Sequence, residues 1–397
     1  MQVESWHCIA VTANARKPRS MPGADVGDTV LMGVNPAAPS ALAAADRLRL
    51  EQARGEFDAE VIYLNTTTMG LPPRRSLLAL QEALQDWRRG FADPLDYDDV
   101  LSAARHSYAD LVRVEPSAVA VGGQVSMFAG LVAACLPAGS EVLTAAGDFT
   151  SILFPFHAQA GRGVTVREVP LDRIADAVTS TTTLVSVSAV QSADGRVADL
   201  DAIGAACAVT GTRVLLDTTQ AVGWLPVDAS RFAYTVCSGY KWLLAPRGTA
   251  FFTVAPEARA DLVPHHANWY AGQDRWSSIY GGPLRLAADA RRFDLSPAWH
   301  SWVGAAPALD LLIEVGTGAL HAHSVGLAER FRAATGLPSS DSAIVSVLAD
   351  ESVPQLMAAA GIIGSVRAGR LRLSFHVSTS DEDADRAAEV LAGHVRA

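Results

Sequence analysis

Short apolar segments alternate with amphipathic segments through the middle of this chain, between about residues 100 and 255. AVAVGG (118–123), EVLTAA (141–146) and RVLLD (213–217) have the length of strands and little polar character. Strands that are apolar on both faces are typical of a parallel sheet covered by helices on both sides. The alternation therefore predicts an α/β fold built on a mostly parallel sheet.

The same pattern predicts further strands at 164–169, 183–190, 233–238 and 249–254, and helices at 101–113, 125–135, 150–160 and 199–209. The final third alternates more loosely, with helices predicted at 304–315, 321–334, 353–360 and 381–395 and strands at 343–348 and 370–376. We expect a weakly ordered leader at 1–35, a large domain with an N-terminal helical segment at 36–290, and a smaller C-terminal α+β domain at 291–397.

The composition narrows the class of protein. Of 397 residues, 49% are hydrophobic and 19% are charged, so the chain can bury a large core. The net charge of -10, without a basic stripe, argues against nucleic-acid binding. No apolar run is long enough to cross a membrane, and residues 1–35 lack the order of a signal peptide. The four scattered cysteines suggest free thiols without a metal site, so a cytoplasmic location is expected.

Lysine is almost absent from the chain. Only Lys17 and Lys241 are lysines, and the other 30 basic residues are arginines. Arginine stays charged at any working pH, whereas a buried lysine can lose its proton and act as a nucleophile. Either chance or a chemical requirement would explain why Lys241, in CSGYKWLLAPRG, is not an arginine.

Polar residues follow three of the predicted strands, at the edge where parallel sheets bind ligands. Gly122 and Gly123 lead into a helix whose free N–H groups suit a phosphate, or else form an ordinary turn. Asp217 ends a buried strand, where it could cap a helix, bind a metal or pair with a protonated ring nitrogen. Lys241 follows the next strand. A phosphate site, a carboxylate for a pyridinium nitrogen and an amine for an aldehyde are the contacts that pyridoxal phosphate requires.

The segments LLDTTQAVG and CSGYKWLLAPRG resemble the aspartate–glutamine and cofactor-lysine motifs of the fold-type I, class V aminotransferase-like family. Cysteine desulfurases, kynureninases and isopenicillin N epimerases belong to that family. The resemblance covers roughly residues 60–395. It implies a seven-stranded type of sheet in the large domain, a pyridoxal 5'-phosphate cofactor, a small amino-acid substrate and a homodimer.

The resemblance also implies roles for individual residues. Lys241 would be the catalytic lysine that binds the cofactor, Asp217 would pair with the pyridinium nitrogen, and Phe149 would stack on the ring. The other implied cofactor contacts are Gln220 and Ser192 near O3′, and Gln124, Val125, Ser238 and Tyr240 at the phosphate. Ser192 departs from an asparagine of the family, and Tyr240 from a histidine of the desulfurases. Arg372, in RLRLSFHVST, aligns with the arginine that binds the substrate carboxylate, although it could also be a surface residue of an edge strand.

Five segments are similar to the hercynylcysteine sulfoxide lyases of ergothioneine synthesis: YLNTTTMGLPP, GGQVSMFAGLVAACLP, GDFTSILFP, VQSADGRVADLDAI and RLSFHVSTSDEDADR. This implies a carbon–sulfur lyase that cleaves hercynylcysteine sulfoxide by β-elimination to ergothioneine, pyruvate and ammonia. A desulfurase, a kynureninase-like enzyme, or an epimerase or aminotransferase is the alternative. No cysteine follows Cys237, so the mobile-loop thiol of a desulfurase is missing unless Cys237 serves. A relative that keeps the fold without turnover is a further alternative, although the presence of Lys241, Asp217 and Arg372 argues against it.

A trimethylammonium group on such a substrate would favour an aromatic or acidic pocket. The stretch HHANWYAGQDRWSSIYGG supplies aromatic residues, of which Trp269 and Tyr270 are the predicted substrate contacts. Packing at a dimer interface is the alternative explanation for the same residues.

Overall fold

The computed structural model describes residues 42–397, which lie in one compact unit. The leader predicted at 1–35 lies outside the described residues. The helices are α1 (Ala44–Arg54), α2 (Arg74–Arg89), α3 (Pro94–Val112), α4 (Val125–Cys135), α5 (Phe154–His157), α6 (Ile174–Ala177), α7 (Leu200–Thr210), α8 (Trp299–Val315), α9 (Thr317–Thr335), α10 (Val353–Ala359) and α11 (Asp381–Leu391). The strands are β1 (Ile62–Tyr63), β2 (Val119–Gly122), β3 (Glu141–Ala145), β4 (Thr165–Val169), β5 (Thr182–Ser188), β6 (Arg213–Asp217), β7 (Tyr234–Ser238), β8 (Ala250–Val254), β9 (Ile344–Ala349), β10 (Ile362–Ile363), β11 (Ser365–Arg367), β12 (Arg370–Ser374) and β13 (Val395–Arg396).

The main sheet has seven strands in the order β2-β8-β7-β6-β5-β3-β4. Strand β8 runs antiparallel to both of its neighbours, and the other six strands share one direction. Every residue of β2, β7 and β8 is buried, as expected for strands covered on both faces. The predicted α/β architecture with a mostly parallel sheet is confirmed.

A smaller sheet, in the order β11-β12-β9-β13, is antiparallel throughout. It encloses its own core, in which Phe331 of α9 packs on Phe375 with ring centroids 5.7 Å apart. Strand β1 pairs in parallel with β10, which joins the start of the described chain to its C-terminal part. Helix α8, which follows the predicted domain boundary, packs against α2 and α3. The division at 290/291 stays a prediction.

The helix predicted at 150–160 is wrong as a continuous element. The segment forms a 3-10 turn at Thr150–Ile152, the short helix α5 and a second 3-10 turn at Ala160–Arg162. Pro155 lies within α5, and Gly163 ends the last turn with a φ of 77°. Proline lacks the N–H that a preceding carbonyl needs, and glycine readily adopts positive φ, so the two residues favour turns here.

Helix α3 starts at Pro94, seven residues before the predicted start. Asp93 caps it by accepting a hydrogen bond from the Leu95 N–H, and proline fits the first helical turn because its missing N–H would have no partner there. Within residues 42–397 no single helix is long and apolar enough to cross a membrane. Helices α8 and α9 reach the required length and apolar character only when they are taken together, and they meet at an angle of 84°.

Candidate active site

The parallel strands of the main sheet end at one edge, and polar side chains follow them there. Asp148 and Phe149 follow β3, and Gln191 and Ser192 follow β5. Thr219 and Gln220 follow β6, Tyr240 and Lys241 follow β7, and Gln124 follows β2. Six of the predicted cofactor contacts therefore come from five different strand ends. This edge is the expected position of a ligand site in an open parallel sheet.

Lys241 is buried, with 6% of its surface exposed. Burial lowers the pKa of its amine from 10.5 to about 8, because the charged form loses its hydration. The Asp217 carboxylate opposes this effect, while the positive charges of Arg372 and Arg367 add to it. The Nζ atom lies 5.3 Å from the centroid of the Phe149 ring. A lysine in this environment is partly neutral near pH 7–8, as a nucleophile or a proton acceptor must be.

Close backbone packing fixes the turn that carries Lys241. The Gly70 N–H donates to the Tyr240 carbonyl at 2.9 Å, and any side chain at Gly70 would overlap the carbonyl oxygen of Lys241. Gly223, with a φ of 116°, approaches the Trp242 carbonyl just as closely. The Nε2 atom of the buried His376 lies 2.9 Å from that same carbonyl oxygen. The lysine is thus placed by contacts from three distant parts of the chain.

Asp217 ends β6 and is 5% exposed. Its Oδ1 accepts a hydrogen bond from the Thr219 N–H at 2.8 Å. Burial raises the pKa of the carboxyl group to about 6. The hydrogen bonds of Thr219 and the charge of Lys241 lower the pKa, but their effect is smaller than that of burial. A buried carboxylate whose loss of hydration is not fully compensated favours a further cationic partner, and a protonated ring nitrogen would supply one.

Gln220, Ser192 and Arg372 form a hydrogen-bonded chain beside this group. The Gln220 side-chain amide donates to Ser192 Oγ at 3.1 Å and to the Thr67 carbonyl at 3.0 Å, and its Oε1 accepts from the Trp242 indole at 2.8 Å. Arg372 donates to Ser192 Oγ at 3.2 Å and to the Ser192 carbonyl. Ser192 therefore connects the predicted cofactor contact Gln220 to the predicted substrate contact Arg372.

Arg372 is 1% exposed, so the alternative that it is a surface residue of an edge strand is wrong. Its recorded hydrogen bonds go to Ser192 and to Thr68 Oγ1, and its buried Nε has no partner among residues 42–397. Burial, and then the charge of Arg367, lowers the pKa of this guanidinium to about 10. A buried guanidinium that is bonded only to neutral oxygens is suited to binding an anion, such as a substrate carboxylate.

Phe149 exposes 45% of its surface even though it follows a buried strand. The residue before it, Asp148, is buried and was not singled out from the sequence. Its carboxylate accepts from Ser188 N at 2.9 Å, Ser188 Oγ at 2.6 Å and Gln191 Nε2 at 3.1 Å. Asp148 thereby ties the loop of Phe149 to the loop of Ser192. A buried strand followed by an acidic residue was the one available sequence signal.

The four predicted phosphate contacts lie at the same edge. Gln124 precedes the first turn of α4, which begins at Val125, and the Ser238 N–H donates to Thr219 Oγ1 at 3.0 Å. The Tyr240 ring centroid is 5.8 Å from Lys241 Nζ. Free N–H groups at the start of α4 suit a phosphate. The role of these four residues in phosphate binding stays a prediction.

Trp269 and Tyr270 belong to a different cluster. Tyr270 is completely buried, its hydroxyl donates to Asp98, and the Arg275 guanidinium lies 4.4 Å from its ring centroid. Trp269 packs edge-on against Tyr270, with centroids 4.7 Å apart. Tyr270 is therefore held inside this cluster within the described chain, and its contact with a substrate stays a prediction. For Trp269 the role, within one chain or across a homodimer, stays a prediction.

The fit of these residues to pyridoxal phosphate rests on three features. Lys241 is a buried amine whose pKa is lowered toward neutrality, Asp217 is a buried carboxylate suited to a cationic partner, and the exposed Phe149 ring lies near the amine. An aldehyde, a pyridinium nitrogen and a flat ring need these three contacts. The donor set therefore fits the cofactor.

Comparison with known proteins agrees with this interpretation. Residues 101–349 match the family model described as aminotransferase class-V. Isopenicillin N epimerase of Streptomyces clavuligerus is 28% identical over 316 residues, 71% of this chain and 77% of that protein. Kynureninase of Deinococcus radiodurans is 28% identical over 327 residues, 76% of this chain and 78% of that protein.

A solved structure of the cystine C-S lyase C-DES in complex with cysteine persulfide shares the fold. It superimposes with a TM-score of 0.76 at 21% identity, over 85% of this chain and 98% of that one. This likeness bears out the predicted fold-type I architecture. The chain belongs to the class V aminotransferase family, and its cofactor is pyridoxal 5'-phosphate, as predicted from Lys241 and Asp217.

Proposed function

We propose that this protein is a carbon–sulfur lyase that cleaves hercynylcysteine sulfoxide by β-elimination. The observation that carries the proposal is the placement of the buried Arg372, without a carboxylate partner among the described residues, beside the partly neutral Lys241. An anion site next to a proton acceptor suits an α-amino acid that loses its α-proton.

Arg372 binds and orients the substrate carboxylate, with Ser192 and Thr68 holding the guanidinium plane. Lys241, in its neutral form, accepts the proton from Cα at Nζ. Burial of the surrounding residues keeps water away from this amine. When bound, pyridoxal phosphate supplies the electron sink that makes the α-proton acidic, and the Asp217 carboxylate favours the protonated ring nitrogen that this requires.

The elimination breaks two bonds of the substrate. The Cα–H bond breaks with the proton going to Lys241, and the Cβ–S bond breaks with its electron pair leaving on sulfur. From a sulfoxide the leaving group is a sulfenate, and hydrolysis of the three-carbon fragment yields pyruvate and ammonia. Reduction of the sulfenate to ergothioneine needs an added thiol as reductant.

The state of Cys207 and Cys237 argues against desulfuration through either of these two thiols. Cys237 is completely buried, and burial raises the pKa of its thiol to about 12. Burial likewise raises the pKa of Cys207 to about 11. Because the thiolate is the nucleophile that accepts sulfur, neither group suits that task. The resemblance of five segments to the hercynylcysteine sulfoxide lyases supports the choice of substrate.

The test is product identity. The holoenzyme is incubated with hercynylcysteine sulfoxide and a thiol, and separately with cysteine and with kynurenine, while Lys241→Arg serves as the inactive control. We expect pyruvate from the sulfoxide in amounts equal to the ergothioneine formed. Alanine from cysteine or kynurenine would instead indicate a desulfurase or a kynureninase, and substrate returned with inverted Cα would indicate an epimerase.

A further inference from the structure

The hairpin of β11 and β12 presents three arginines on one face. Arg367 pairs with Arg370 and Ser365 pairs with Arg372, so alternate residues place Arg367, Arg370 and Arg372 on the same side of the hairpin. Arg370 donates to the Ser346 carbonyl at 3.1 Å. Arg372 is the buried arginine already described. Arg367 is exposed, and the function proposed above gives it no task.

Arg367 and Arg372 meet at a single hydroxyl group. One guanidinium nitrogen of Arg372 lies 3.1 Å from Thr68 Oγ1, and one of Arg367 lies 3.4 Å from the same oxygen. The other recorded hydrogen bond of Arg367 goes to the carbonyl of its neighbour Val366. Within residues 42–397, neither guanidinium therefore bonds to a carboxylate.

Two cations held this close repel each other unless an anion lies between or beside them. The charge of Arg367 lowers the pKa of both Arg372 and Lys241, so its field reaches the proposed reaction centre. Arg372 alone is sufficient for one α-carboxylate. The guanidinium of Arg367, which is exposed and contacts Thr68, can bind another negative group.

We propose that Arg367 binds a second anionic group of the substrate, distant from the α-carboxylate, and so determines specificity. The substrate class is then an α-amino acid whose side chain ends in a carboxylate or a similar oxyanion. This inference rests on the proposed function, because hercynylcysteine sulfoxide carries a second carboxylate in its betaine part. A bidentate guanidinium fork matches such a group.

Binding without turnover tests the proposal directly. The holoenzyme is titrated by calorimetry with glutarate, which has two carboxylates, and with glutaramate, in which one of them is an amide. A charge-assisted hydrogen bond is worth enough to make glutarate bind at least about tenfold more tightly. We expect this ratio to fall to about one in Arg367→Gln and to persist in Arg370→Gln, the matched control on the same face. Equal affinities in the wild type, or a ratio that survives Arg367→Gln, would overturn the proposal.

Turnover separates this inference from the proposed function. The substrates are S-(2-carboxyethyl)-L-cysteine sulfoxide and its carbamoyl analogue, and the released pyruvate is measured. We expect kcat/KM to favour the carboxylate in the wild type and in Arg370→Gln, but not in Arg367→Gln. Pyruvate from both at equal kcat/KM would remove the role of Arg367 and leave the lyase intact. If neither these two substrates nor hercynylcysteine sulfoxide yields pyruvate, the lyase function is contradicted, while the calorimetric ratio still decides whether Arg367 binds an anion.

Discussion

At the scale of single residues, the site depends on two ionisable groups, the amine of Lys241 and the carboxylate of Asp217. Burial lowers the pKa of the first to about 8 and raises the pKa of the second to about 6. The structure brings both to one edge together with Gln220, Ser192 and Arg372. Asp148 and Thr68 were missed because only tertiary contacts, to Ser188 and Arg372 respectively, give them a role.

The lowered pKa of Lys241 makes stability depend on pH. In the cofactor-free protein the folded pKa is about 8 and the ordinary value is 10.5, so the unfolded state binds the proton more tightly. Between these two pH values the unfolded state carries more protons, and the contribution of Lys241 to stability therefore rises with pH. Below pH 8 the group lowers stability by roughly 3 kcal/mol, from 1.36 kcal/mol per pKa unit.

Lys241→Met removes the titrating group and keeps a similar volume. We expect the cofactor-free variant to be more stable than the wild type at pH 7, and the difference in the free energy of unfolding to shrink as the pH rises toward 10.5. Urea unfolding of both proteins at several pH values measures it. A difference that does not change with pH would mean that Lys241 is not desolvated as described.

At the scale of elements, local patterns predicted the apolar strands and helices well. Strand β6 and helix α4 have the predicted bounds, because Asp217 and the Gly122–Gly123 pair mark clear ends. The continuous helix predicted at 150–160 is wrong because Pro155 within the segment and the glycines that follow it favour turns. Strands β10 and β13, of two residues each, carry too few positions for a periodicity to be recognised.

The loop of Gly70 offers a test of how an element positions the lysine. A Cβ at Gly70 would overlap the Lys241 carbonyl oxygen and lie 2.9 Å from Leu244 Cδ2. We expect Gly70→Ala to lower the free energy of unfolding by about 1–3 kcal/mol and to weaken cofactor binding, because the backbone must move.

The matched control is Gly130→Ala within α4, where a Cβ would meet nothing within 4 Å. There alanine should stabilise the helix by about 0.5–1 kcal/mol, without a change in cofactor affinity. Thermal unfolding and the cofactor Kd, determined from the visible absorption, check both variants. Equal behaviour of Gly70→Ala and the wild type would contradict the close packing of the loop.

At the scale of the whole molecule, the candidate site is assembled from parts that are far apart in sequence. Gln220, at the edge of the main sheet, donates hydrogen bonds to the loop at 65–70 and to Ser192. Arg372 of the C-terminal strand β12 donates to Thr68 of the same loop. Local periodicity does not report such contacts, since they join residues up to about 300 positions apart. The family resemblance was therefore needed to place Arg372 at this site before the structure showed it there.

The central claim is that Lys241 holds the cofactor. The most direct measurement is borohydride reduction of the holoenzyme, which fixes the cofactor on its amine, followed by digestion and mass spectrometry. Only Lys17 and Lys241 offer side-chain amines, so the assignment has two possible outcomes along the chain. We predict the cofactor mass on the peptide that contains Lys241 and its loss in Lys241→Arg, with Lys17→Arg unchanged. Cofactor on Lys17, or no modified peptide, would contradict the account.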